Sequence, residues 1–173
     1  MAAFFLHRGM RSKLKNVLVC GIGNVLLQDE GVGVHVVREL KKMPLPPSVE
    51  VLEAGTSLLD LIPRLREAKH LILIDAMKAD GPPGSIYLLD AERLLQRQST
   101  HPLSLHQMGA LDALRIMALE AKPPPCLVIG IEPASMEWGL EPSSVIRGKM
   151  TKILQIVCRE IEGLMPRAQS GSS

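Results

Sequence analysis

The sequence predicts an α/β fold, a three-layer sandwich in which a mixed, mostly parallel sheet of about five strands is flanked by helices. Apolar runs at residues 16–23 and 71–75 end in glycines or an acid, as strands buried on both faces do. Alternating with such runs are segments whose apolar residues recur at helical spacing, Val32, Val36 and Leu40 among them. Hydrophobic residues make up 46% of the 173-residue chain and charged residues 22%, enough apolar material for a single core.

Residues 1–15 are basic and carry no amphipathic period, so they read as a flexible N-terminal extension. Residues 16–165 read as one α/β domain and 166–173 as a flexible tail. Residues 16–23 form the first strand. The helix that follows carries Val32, Val36, Val37, Leu40 and Met43 and is stopped by Pro44, Pro46 and Pro47. Residues 49–54 give the second strand. Residues 57–68 give a helix with Leu58, Leu59, Ile62 and Leu65 inward, kinked or shortened by Pro63, and residues 70–75 give the third strand. Asp80-Gly-Pro-Pro-Gly84 is turn chemistry, and the strand at 85–89 follows too closely for a helical crossover, so it runs antiparallel to its neighbour. A helix over 105–120 presents Met108, Leu111, Leu114 and Ala118, and Pro123-Pro-Pro125 separates it from a strand over 126–132. The last helix is the clearest, with Ile146, Met150, Ile153, Leu154, Val157, Ile161 and Leu164 in one stripe.

Composition narrows the function. The formal charge of +2 owes four of its cations to residues before Asn16 (Arg8, Arg11, Lys13 and Lys15), and the remainder is slightly acidic, with no reason to seek nucleic acid or an anionic membrane. Aromatic residues, at 2%, are too few to stack nucleic-acid bases. Cys20, Cys126 and Cys158 are odd in number and widely spaced, which suggests neither a disulfide framework nor a thiolate zinc site. With no apolar stretch approaching the roughly 20 residues that span a bilayer, and no secretory signal, the chain reads as cytoplasmic.

In open α/β sheets ligands bind outside the carboxyl ends of the parallel strands, and three candidate sites fall there. Gly21-Ile-Gly-Asn-Val-Leu-Leu-Gln-Asp-Glu-Gly-Val-Gly33 begins like a dinucleotide fingerprint, but Leu26 replaces the third glycine. Asp29 and Glu30 stand where a phosphate needs bare amides, so they repel phosphate and attract cations. The plainer alternative is that Asp29 caps the helix and Glu30 favours its dipole. Gly31 and Gly33 are poor helix formers, tolerated where something approaches the backbone closely. Asp75 ends a run of four aliphatics on a central strand and is poorly hydrated there, unless it merely bonds the turn amides beyond it. His106 lies in Ser104-Leu-His-Gln107, which fits a capping box and sets the imidazole in a first helical turn, where the dipole keeps it neutral. Glu30, Asp75 and His106 together would suit a divalent transition metal such as nickel or zinc, their own or one carried by a substrate. His7, His35 and His70 lack such companions, and His101 is a fallback ligand. No nucleophile elbow surrounds any Ser or Cys.

The stretch from Gly21 to Val34 closely resembles the amino-terminal signature of the hydrogenase maturation endopeptidases. Glu53-Ala-Gly-Thr56, Leu73-Ile-Asp-Ala76, Pro83-Gly84, Ser104-Leu-His-Gln-Met-Gly109 and Ile129-Gly-Ile-Glu-Pro133 are similar to further family segments in the same order. The resemblance implies that residues 16–165 are a peptidase domain and that Glu30, Asp75 and His106 are the metal ligands; the catalytic candidates are Glu30 and Asp75, either of which could activate water beside a bound metal. It implies nickel as the metal, delivered in the substrate, with cadmium or zinc able to occupy the same place. The implied partner is a nickel-loaded nickel-iron hydrogenase large-subunit precursor, cut after its last metal-binding motif. The rival readings are a non-catalytic nickel-checkpoint or metal-carrier protein and, more weakly, a nucleotide-binding module.

Overall fold

In the computed structural model, residues 16–96 and 109–165 are described. Five strands form one sheet in the order β2-β1-β3-β5-β4, comprising β1 (Val17–Ile22), β2 (Val49–Gly55), β3 (His70–Ala76), β4 (Ile86–Asp90) and β5 (Cys126–Ile131). β1 pairs in parallel with β2 and β3, and β3 in parallel with β5. The strand after the Pro-Gly turn is antiparallel as expected, and the neighbour it pairs with is β5, at the sheet edge.

Both faces of the sheet are covered, which is why β1 and β3 read as unbroken apolar runs. Their residues alternate between two cores. Val17, Val19, Ile72 and Ile74 pack against helices α1 (Val32–Leu40) and α5 (Ser144–Leu164). Leu18, Cys20, Leu71 and Leu73 pack on the opposite side against residues of α2 (Ile62–Leu65), α3 (Ala91–Gln96) and α4 (Ala110–Glu120). This is the predicted three-layer sandwich, with the α5 stripe buried through Ile146, Ile153, Val157 and Ile161.

Local departures have local causes. The helix expected over 57–68 is a 3-10 turn at Leu58–Leu61 followed by one turn of α2, with Pro63 in the first positions of α2 where its missing N–H costs nothing. Met43 lies beyond α1 and is 40% exposed. α3 was not anticipated. Helix α4 starts at Ala110 rather than Leu105, since Gly109 is its extended N-cap (φ −94°, ψ −159°). Its buried face is Ala110, Ala113, Leu114 and Met117, so Leu114 points inward as expected whereas Ala118 is exposed. Met108 lies outside the described residues.

After β1 the chain turns toward β2, whereas after β3 it leaves for the other edge. The carboxyl ends of β1 and β3 therefore border a topological switch point, the place at which a ligand crevice forms in open α/β sheets.

Candidate active site

Glu30 reaches this crevice through close backbone packing. A 3-10 turn, Gln28–Gly31, leads into α1 and packs against β3. A Cβ on Gly33 would stand 2.1 Å from the carbonyl oxygen of Ile74 and 2.5 Å from that of Ile22. One on Gly21 would meet the Gly33 carbonyl oxygen at 2.2 Å, and Gly23, at φ +123°, would place one 1.8 Å from the Glu30 carbonyl oxygen. What approaches these glycines is thus the chain's own backbone, and any side chain there would lift the turn off the strands. The Glu30 side chain is half-buried and has no hydrogen-bond partner among the described residues.

Asp75 is the penultimate residue of β3 and, by the strand's alternation, shares the face of Leu71 and Leu73. It is 6% exposed. Its Oδ2 accepts a long hydrogen bond from the Ala110 N–H at 3.4 Å, at the start of α4, while its Oδ1 is buried with no partner among the described residues. Burial pushes the carboxyl up from 3.8 to about 7, and the charge of Glu30 nearby adds to this, against the opposing pull of the Ala110 and Ala76 amides. A carboxylate with an idle, desolvated oxygen beside a second carboxylate is suited to bind a cation or to take up a proton. The Ala76 amide that pulls on the carboxyl is the contact expected of a turn-forming Asp, and Oδ1 is left without a partner beyond it.

His106 lies outside the described residues, as do Ser104, Gln107 and the fallback His101. Because Gly109 caps α4, the expected cap of that helix by Ser104 is not what is found. Among the described residues no group of three His, Cys, Asp or Glu side chains is placed to hold a metal. The structure brings Glu30 near enough to Asp75 for its charge to act on the Asp75 carboxyl.

Asp29 has a different role from the cap considered above. It makes no side-chain cap to its own helix. Fully buried, it accepts hydrogen bonds at Oδ2 from the N–H groups of Ala134 (2.8 Å) and Ser135 (3.0 Å) and at Oδ1 from that of Ser143 (2.7 Å). The carboxylate thereby clamps the loop between β5 and α5 onto the turn that carries Glu30. Glu132, which sequence reasoning did not single out for a role, is 6% exposed, and its Oε2 accepts from the N–H of Ala79 at 2.9 Å and from the Tyr87 hydroxyl at 2.9 Å. It fixes the segment that follows Asp75. No local pattern reveals these roles, since the groups the two residues bind lie far along the chain.

A family model described as hydrogenase maturation protease matches residues 34–160, a range that contains Asp75 and His106 and begins shortly after Glu30. The chain is 35% identical over 132 residues to the hydrogenase 2 maturation protease of Escherichia coli strain K12, covering 73% of this chain and 80% of that protein. To the hydrogenase expression/formation protein HupD of Bradyrhizobium diazoefficiens it is 32% identical over 151 residues, 86% of this chain and 79% of the relative. The solved structure of the hydrogenase maturating endopeptidase HybD from E. coli superposes with a TM-score of 0.73 at 28% identity, covering 86% of this chain and 93% of that one.

Proposed function

The chain belongs to the hydrogenase maturation protease family and is a hydrolase, and from that premise we propose that it removes the C-terminal extension of a nickel-iron hydrogenase large-subunit precursor after nickel insertion. Glu30, Asp75 and His106 recognise the nickel that the precursor carries. The observation that supports this most is the idle, buried Oδ1 of Asp75 beside Glu30, which itself has no partner among the described residues. Two carboxylates, each with an oxygen that has no hydrogen bond to give up among the described residues, fit a divalent transition metal once an imidazole completes them. His106 stands four positions before Ala110, the residue whose N–H bonds Asp75, so the chain is long enough to bring its imidazole to the same crevice.

The carboxylates also give the site its selectivity. An unmetallated, thiolate-rich motif is repelled by Glu30 and Asp75, whereas the same motif carrying a divalent ion is attracted. The cation lowers the cost of ionising Asp75 and so releases its proton. For hydrolysis, whichever of Glu30 and Asp75 the metal leaves free takes the proton from attacking water. Ala110 N–H holds Oδ2 of Asp75 and leaves its Oδ1 for the cation. Bound nickel in the precursor would polarise the adjoining carbonyl.

The decisive experiment mixes the protein with precursor prepared with and without nickel and follows the C-terminus by intact mass. Only the loaded form should shorten. Equal cleavage of the nickel-free precursor would refute nickel recognition, and no cleavage of either form would favour the non-catalytic checkpoint.

A further inference from the structure

The crevice is bordered by an exposed apolar surface that neither the metal nor the peptide chemistry uses. The loop leaving β5 lies along residues 26–29, with Leu27 bridged to Gly139. Gln28 N–H donates to the Gly139 carbonyl at 2.9 Å, Gly139 N–H to that of Leu26 at 2.9 Å, and Asp29 N–H to that of Ser135 at 3.1 Å. The three bonds to the Asp29 carboxylate complete the attachment. The loop is pressed so close that a Cβ on Gly139 would stand 2.9 Å from Gln28 Cγ. From these two joined segments come Leu26, Trp138 and Leu140, exposed by 47%, 81% and 65%. Trp138 is the only tryptophan in the sequence.

From this geometry we infer that Leu26, Trp138 and Leu140 form the docking surface for the folded body of the precursor, an inference that rests on the proteolytic reading above. The surface and Glu30 share one tied segment, since the residues that the loop holds, 26–29, lead directly into Glu30. A folded protein presented for cutting must be held by more than the few residues at its scissile bond. An exposed tryptophan flanked by leucines is the composition of an interface hot spot, and a frame fixed by a buried carboxylate presents it with little ordering cost on binding. Exposed Glu137 and Glu141 rim the loop, so the matching face of the precursor is apolar with basic groups at its margin.

The test uses the full chain carrying 5-fluorotryptophan, whose fluorine spectrum has one resonance, together with unlabelled nickel-loaded precursor. Precursor should shift or broaden that resonance, and Trp138→Ala and Leu140→Ser should each lower kcat/KM for cleavage about tenfold, through KM. Leu119→Ser, on the exposed side of α4 at 85% exposure, should leave kcat/KM as it was. An unmoved resonance while the precursor is cut, or variants with unchanged KM, overturns the docking surface and leaves the proteolytic reading standing. A resonance that moves with the protein's own concentration shows a second copy on the patch and likewise overturns it. Failure of the unsubstituted protein to cut loaded precursor removes the proteolytic reading, and this inference with it.

Discussion

Asp75 must be ionised to meet a cation, yet its surroundings resist ionisation. Its folded pKa of about 7 lies above the ordinary 3.8, so the folded state holds this proton more tightly than the unfolded chain does. Stability from that source is full below the unfolded value and is lost as pH rises toward and through about 7. The interval corresponds to roughly 4 kcal/mol at most. In metal-free protein, Asp75→Asn should therefore raise the thermal midpoint more at pH 8 than at pH 4, and an equal difference at both would refute the assignment. The same substitution should weaken nickel or cadmium binding by calorimetry. At Asp29 both carboxylate oxygens accept amide hydrogen bonds, three in all. Asp29→Ala strands those amides and should cost roughly 3 kcal/mol or more in urea denaturation, and a loss below about 1 kcal/mol would show the clamp to be weak. Asp75 was legible in the sequence because four aliphatics precede it on one strand. Asp29 was not, because the amides it holds lie 105, 106 and 114 positions away.

Helix α1 stands as near to the sheet as backbone atoms allow. Gly33→Ala would force a Cβ against the Ile74 and Ile22 carbonyls, so the helix must move outward and take Glu30 from Asp75. Loss of roughly 2–4 kcal/mol in stability, with weakened metal binding, is the expected outcome. Gly148→Ala in α5 is the counterpart: open space surrounds it, and the change should stabilise by roughly 0.5–1 kcal/mol. If both substitutions move the denaturation midpoint alike, the close approach of α1 is not what Gly33 serves. The elements read most surely from sequence were those with a strong apolar signal, β1, β3 and α5. Short or interrupted ones were harder. α3 has six residues and follows β4 without a break, and Gly109 moves the α4 boundary to a place that propensity alone would leave inside a longer helix.

Across the whole molecule the two cores share one sheet, since Val17 and Leu18, or Leu71 and Ile72, are adjacent residues pointing to opposite faces. Neither face can lose its strands without exposing the other. Calorimetry should accordingly show one transition with equal calorimetric and van't Hoff enthalpies, and two separable transitions would contradict the shared sheet. The layered architecture was legible because alternating strands and amphipathic helices admit few arrangements. The order of strands was not, since nothing in β4 announces β5 as its neighbour. The switch point between β1 and β3 bears also on how the protein is made. Glu30 leaves the ribosome forty-five residues ahead of Asp75, and Ala110, which holds Asp75, follows later still. A nascent chain thus carries the two carboxylates before it can hold them together, and the pair takes its folded arrangement only after Ala110 has emerged.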